Sequence, residues 1–166
     1  LMNEPPRRPA ISYIDRTRAQ YSALGHAEYN WAHNPEPPPL TPLSRPLSSQ
    51  RVGVVATGGI YAEGQTAFTH RDDTSYRSID SSTPTSDLRV THFAYDLTDA
   101  QRDINVVFPI DSLRRLVREG VVGELAPHLF TGMGGIYSQR RVREELAPAL
   151  AERCRADEID VVLLVP

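Results

Sequence analysis

No stretch of this 166-residue sequence approaches the roughly 20 consecutive apolar residues that span a bilayer, and its opening residues lack a signal-peptide pattern. A membrane-embedded or exported protein is therefore not expected. Positive charge is not in excess either. Eighteen basic residues stand against 21 acidic ones, a net charge of −3, and no basic tract occurs. The electrostatic footprint of a nucleic-acid binder is absent. Cysteine is almost missing: Cys154 stands alone, which excludes a disulfide within the chain and fits a reducing, cytoplasmic setting. One cysteine and dispersed histidines give no recognisable ligand spacing, so neither a metal nor a cofactor is expected.

What is present is ordinary for a globular protein, with 40% apolar and 23% charged residues and enough length for a proper core. Proline is the exception, because its 14 copies cluster. Residues 1–50 are expected to stand apart as an N-terminal section. Leu1 to Ala10 is a Pro/Arg-rich arm. Ile11 to about Trp31 reads as an amphipathic helix, rich in aromatic side chains (Tyr13, Tyr21, Tyr29 and Trp31). It either lies over the domain or a subunit partner, or its rings line a pocket for a cationic ligand. Asn34 to Ser49, NPEPPPLTPLSRPLSS, reads as an extended strap, since proline removes donors and fixes φ. The strap ties the helix to the core or serves as an SH3-type ligand.

Residues 51–166 read as an α/β domain. RVGVVAT, Arg51 to Thr57, has the pattern of a buried parallel strand, and Gly58-Gly59 follows as a loop where a ligand can approach the backbone. Gly58, Gly59 and Gly64 do not fit G-x-G-x-x-G, which argues against a dinucleotide. His70 to Pro84 reads as a polar, turn-rich loop. Leu88 to Asp96 alternates as a strand does, with His92 and Asp96 on one face and Phe93 and Tyr95 on the other. On that geometry the Cα atoms of His92 and Asp96 lie about 13 Å apart, too far to share a metal. An acidic turn through Asp99 and Asp103 leads to a second apolar run, NVVFPI. Asp111 is expected to cap a helix carrying Leu113, Leu116 and Val117, which Gly120 ends.

Gly123 to Pro127 suggests a short strand, after which His128 enters a loop containing Gly132, Gly134 and Gly135. Ser138 is placed to cap a last helix. There Val142, Leu146, Leu150 and Cys154 recur every four residues, making Cys154 a packing residue, and Pro148 should kink or break the pattern. DVVLLVP, Asp160 to Pro166, is apolar enough to be a strand covered on both faces. These elements predict a mainly parallel sheet flanked by helices, Rossmann-like with three layers, whose ligands bind beyond the carboxyl ends of the strands.

The phrases PLSRPLSSQRVGVVATGGI, DDTSYRSI, THFAYD, DINVVFPIDSLRRLVREGVVGELAP, MGGIYS and DVVLLVP occur in that order over about three quarters of the chain. This ordered set resembles the protein B family of the glycine, betaine and sarcosine reductases, which includes D-proline reductase subunits. The resemblance implies an oxidoreductase subunit for reductive C–N bond cleavage. Its nucleophile would be a cysteine or selenocysteine in a Cys-rich loop just after a strand like DVVLLVP. The sequence stops at Pro166, ahead of such a loop, and Cys154 matches no nucleophile position. The chain is therefore expected to lack the redox residue, and a second possibility is a partner subunit that completes another chain's active site.

The resemblance also implies a small amine or amino-acid-like substrate and a homodimer or larger complex with a second protein. His92, Asp103 and His128 are then the catalytic candidates, either histidine serving as general acid toward a leaving amine. Gly58, Gly59, Asp73, Ser75, Arg77, Asp96, Asn105, Met133 and Gly134 are the expected substrate-binding residues, with Arg77 pairing a carboxylate. Each has a plainer alternative: a satisfied core histidine at His92, an exposed loop histidine at His128, turn-building side chains at Asp103 and Asn105, packing at Met133.

Overall fold

A computed structural model describes residues 12–28 and 32–166. They fall into two compact units, Leu1–Pro39 and Leu40–Pro166. The first contains helix α1 (Tyr13–Ala23), whose residues include no buried side chain. The arm Leu1 to Ala10, Ile11, Tyr29 and Trp31 lie outside the described residues. Residues 34–46 of the Pro-rich strap form neither helix nor strand and all are exposed, while its last residues, Leu47–Ser49, form a 3₁₀ turn.

The second unit runs β1 (Arg51–Ala56), β2 (Ile60–Ala62), β3 (Tyr76–Asp80), β4 (Leu88–Val90), α2 (Thr98–Arg102), α3 (Ile110–Arg118), β5 (Glu124–Leu125), β6 (His128–Gly132), α4 (Gln139–Arg141), a π-helical turn (Val142–Leu146), α5 (Ala147–Ala156) and β7 (Val161–Val165). The sheet is built on β1. It pairs in parallel with β7 along Val52–Ala56, and with β5 and β6 on its other side. β3 runs antiparallel outside β6, while β2 and β4 make a separate antiparallel pair. The fold is thus mixed α/β with a mainly parallel sheet flanked by helices.

Alternation along β1 explains its central place. Val54 and Ala56 enter one core with Ile60, Ile79, Phe108, Ile110 and Leu113, and Val55 packs against another formed by Phe130, Leu146 and Leu150. Burying a side chain of this kind stabilises by about 1.5–3 kcal/mol, so the two cores on either face hold the strand. Gly53 lets the Ile159 side chain pack against the strand, since a Cβ there would lie 2.5 Å from its end and push it aside.

Several expectations are corrected. The strand expected over Leu88–Asp96 ends at Val90 and is not part of the main sheet, because its partner β2 offers only three residues. Beyond it the His92 ring accepts a bond from the Ala94 amide (3.0 Å) and the Asp96 carboxylate one from Thr98 (2.9 Å), which turns the chain. NVVFPI is no strand: Asp103 accepts from the Asn105 amide and starts a 3₁₀ turn, and Pro109 lacks a ladder donor. Asp111 lies inside the first turn of α3 rather than at its cap, and its own amide donates to the Asn105 side chain (2.9 Å). The polar stretch 70–84 contains β3, and His128 opens a strand rather than a loop.

The helical stretch after Ser138 begins as expected, with the Ser138 hydroxyl accepting from the Arg141 amide. Pro148 sits in the first turn of α5, directly after the π-helical turn. β7 is not covered on both faces. Leu164 is 70% exposed and Leu163 39%, and β7 is an edge strand paired only with β1 among the described residues.

Candidate functional site

The parallel strands deliver two glycine-bearing loops to one edge. β1 runs into Thr57-Gly58-Gly59 and β6 into Met133-Gly134-Gly135. The loops are knitted by backbone bonds from Gly134 to Thr57 (2.8 Å) and from Gly59 to Gly132 (3.1 Å), and by a bridge between Gly58 and Met133. The end of β7 joins them, because the Val165 carbonyl accepts from the Thr57 amide (2.9 Å). Gly59 has φ +74° and a Cβ there would lie 1.8 Å from the Thr91 carbonyl oxygen, so no other residue fits without displacement. Met133 is buried beneath this floor.

The segment after β4 lies over it. Thr91 donates its amide to the Gly59 carbonyl (3.0 Å), and the Tyr95 hydroxyl donates to the Gly58 carbonyl (2.8 Å). The His92 ring stacks on Phe93 with centroids 5.6 Å apart and packs against Tyr95 at 4.7 Å. Phe93 in turn meets Tyr137 and His70. Because His92 Nδ1 accepts the Ala94 amide, the neutral ring carries its proton on Nε2. Burial pushes the His92 pKa below the ordinary imidazole value, and the neighbouring His70 adds to this. Burial likewise raises that of Tyr95. Near neutral pH the edge therefore presents an uncharged imidazole with one N–H to donate.

The loop before β3 flanks the same edge, since Tyr76 pairs with Gly132. Burial pushes the Asp73 carboxyl up, but bonds from Ser75 and Thr69 and the charge of Arg77 outweigh it and leave it below its usual value. Arg77 is committed to its own neighbourhood: it donates to the Thr66 carbonyl (2.7 Å), the Ser75 hydroxyl (2.8 Å) and the Tyr76 carbonyl (3.1 Å), and lies 4.2 Å over the Phe68 ring. That leaves little of its fork for a carboxylate. Asp72, at φ 45°, accepts from the amides of Tyr137 (2.6 Å) and Ser138 (3.1 Å) and so pins this loop to the start of α4.

Other anticipated residues lie elsewhere. Asp96 holds Thr98 at the start of α2. Asp103 and Asn105 form a network with Asp111, while Arg114 donates to the carbonyls of Ser81 (2.7 Å) and Thr83 (2.6 Å). Asp103 lines a separate cavity of about 590 Å³ together with Tyr61, Leu88, Arg89 and Gln101. His128 begins β6, at the opposite end of that strand from Gly132, and pairs with Asp157 (2.9 Å). Cys154 is half-buried against Phe130, Leu146 and Leu150, and burial, with Asp157, raises its thiol pKa. Among the described residues no three His, Cys, Asp or Glu side chains gather as a metal site would need, and no helix is long and apolar enough to cross a membrane.

The edge thus unites Gly58, Gly59, Met133, Gly134 and His92, flanked by Asp73, Ser75 and Arg77. Phe93, Tyr95, Asp72 and Tyr137 were not anticipated as parts of it. In the sequence the aromatic residues show only as the pair in THFAYD and the tyrosine of GGIYS, and Asp72 as the first residue of DDTSYRSI. Residues 26–166 match the family model for glycine/sarcosine/betaine reductase selenoprotein B. The chain belongs to that family.

Among its relatives, the D-proline reductase subunit gamma of Acetoanaerobium sticklandii is 36% identical over 129 residues, 77% of this chain and 53% of that protein. The glycine reductase complex component B subunit gamma of Symbiobacterium thermophilum is 31% identical over 131 residues, 76% of this chain and 30% of that protein. The sarcosine reductase complex component B subunit beta of Peptoclostridium acidaminophilum is 32% identical over 101 residues, 58% of this chain and 23% of that protein. This selenoprotein B family chain therefore spans about half the length of the first relative and under a third of the other two. No solved structure matches it significantly.

Proposed function

We propose that this chain is the substrate-holding part of a reductase protein B subunit that takes part in reductive C–N bond cleavage. Its substrate is a small amine or amino acid bound at the carboxyl edge, on the floor made by Gly58, Gly59 and Gly134. The observation that carries this reading is the convergence of both glycine loops and His92 on one sheet edge, in a chain whose family is established. The resemblance supplies the chemistry: a thiolate or selenolate attacks the carbon bearing nitrogen, the C–N bond breaks, and the departing amine takes up a proton. That proton comes from water, and the uncharged His92 ring offers its Nε2–H as a hydrogen bond that orients the substrate. Cys154 is a packing residue in this scheme, and the nucleophile comes from other residues of the assembly. Asp103 and His128 hold turns and strand ends.

The chain works within a larger complex, as the names of its relatives suggest for them, with the exposed strap and α1 as subunit contacts in a homodimer or with a second protein. The α/β unit is a three-layer, Rossmann-like body, and the complex is cytoplasmic. A second reading, a partner subunit that completes another chain's site without redox chemistry of its own, is favoured by the half-buried, high-pKa Cys154. His92→Ala in the assembled complex, assayed with D-proline, glycine and sarcosine, tests the main reading. The expected outcome is loss of turnover with the melting temperature nearly unchanged. Full turnover with a melting temperature lowered by several degrees would make His92 structural.

A further inference from the structure

We infer that residues 92–95 are a flap that closes over the glycine floor and must swing away before a ligand can reach it. This rests on the reading of the carboxyl edge as the binding site. The floor is already covered. A Cβ on Gly135 would lie 2.3 Å from the Phe93 ring, and one on Gly58 would lie 3.3 Å from the Tyr95 hydroxyl. Whatever lies against these backbones has to displace those rings first.

The fastening of the segment is light. Among the described residues, 92–95 make no backbone–backbone hydrogen bond to the rest of the chain. Their one hydrogen bond to residues outside the segment is from the Tyr95 hydroxyl to the Gly58 carbonyl, and Phe93 is 39% exposed. Both ends are fixed by contrast. Thr91 is bonded to Gly59 through its amide (3.0 Å), and the Asp96 carboxylate holds the amide (2.9 Å) and hydroxyl (2.7 Å) of Thr98. Few buried contacts and solvated backbone between firm anchors are the marks of a segment that opens locally while the fold persists.

Opening breaks one hydrogen bond and parts the rings, and leaves the bonds of Thr91 and Asp96 in place. The bond from the Ala94 amide to His92 Nδ1 is internal to the segment, so the imidazole travels with it. Closure would then do two things at once: bring Nε2–H over the floor and shut water out.

Limited digestion of the full chain with chymotrypsin, which cuts after aromatic residues, reads the open population through cleavage after Phe93. Tyr95→Phe removes only the latching hydroxyl. It should speed that cleavage about fivefold, the factor expected from one ordinary net hydrogen bond, while the melting temperature falls by only about 2–4 °C. Gly135→Ala pushes the Phe93 ring off the floor and should speed it further. Millimolar D-proline or glycine, used as probes, take the space of the displaced rings and should speed it in the wild-type chain. Rates indifferent to both variants, or an equal acceleration at aromatic residues elsewhere in the chain, overturn the flap. Cleavage that follows the variants but neither probe upholds the flap and removes the amino-acid reading of the floor. Cleavage that follows the probes but neither variant overturns the flap and leaves that reading standing.

Discussion

Replacing Gly59 by alanine puts the junction between the two sheets under a calculable load. At φ +74° any residue with a Cβ costs about 1–2 kcal/mol more than glycine. The new methyl would also lie 1.8 Å from the Thr91 carbonyl oxygen, so that segment must retreat. Retreat breaks the bond from the Thr91 amide to the Gly59 carbonyl, worth about 0.5–1.5 kcal/mol net, and strains the bond from Gly59 to Gly132 by a similar amount. The sum is about 3 kcal/mol. Gly64 supplies the control, because it has φ +87° and nothing within 4 Å of an added Cβ. Gly64→Ala carries the backbone term alone, about 1–2 kcal/mol. The gain from a stiffer unfolded chain is common to both and cancels. At about 2–4 °C per kcal/mol for a chain of this size, Gly59→Ala should lower the melting temperature by about 10 °C and Gly64→Ala by about 5 °C. Thermal unfolding followed by circular dichroism measures both. Equal losses would mean that the Thr91 contact bears no load, and the geometry assigned to the junction would be wrong.

Two further outcomes are expected. Burial holds the folded-state pKa of His92 below its unfolded value, so the unfolded chain binds more protons in the window just under about pH 6.5. Stability should be full above that pH and fall as the pH drops through the window, and His92→Gln should flatten the urea midpoints there. An unchanged slope would refute the assignment. The carboxylates lowered by their hydrogen bonds, Asp80 and Asp111 among them, lose their contribution only below about pH 4 and do not overlap it. Cys154, its thiol pKa raised by burial, should react slowly with alkylating reagents in the folded chain and quickly in denaturant; rapid native labelling would remove it from the core.

The apolar run of β1 and the serine cap before α4 are legible because each is a local pattern with a local cause. β3 is not. Of YRSID only Tyr76 and Ile79 are apolar, and they serve different cores, so no stripe marks the strand. The alternation from Leu88 onward is real, but the length of a strand is set by its partner, and β2 offers three residues. That early stop placed Phe93 and Tyr95 on the same side as His92, against the alternation. Gly58 and Gly59 were legible as a loop at the sheet edge because a glycine pair follows a buried strand, whereas His92 reaches that edge from a turn and not from the strand expected to carry it. The separation of His92 from His128 was not. It depends on which end of β6 each approaches, and strand direction is a property of the assembled sheet. The commitment of Arg77 to nearby carbonyls was hidden for a related reason: its partners belong to the path of residues 66–76, which local composition does not specify.

The π-helical turn over Val142–Leu146 has a consequence for the reading frame of the helix. An α-helix advances about 100° per residue, and a widened turn absorbs one extra residue, so the segments before and after it are out of phase by about that angle. Leu146, Leu150 and Cys154 therefore pack on Phe130 while Val142, four residues earlier, does not join them. Just upstream Arg141 donates to the Asp72 carbonyl, and within the turn Glu145 accepts from the Thr74 hydroxyl. Deleting a single residue between 142 and 146 would restore a regular helix and one continuous stripe. It would also rotate Arg141 away from Asp72 and release the loop that flanks Gly132. The spacing of these residues, more than their identity, is what keeps the loop before β3 in register with the sheet.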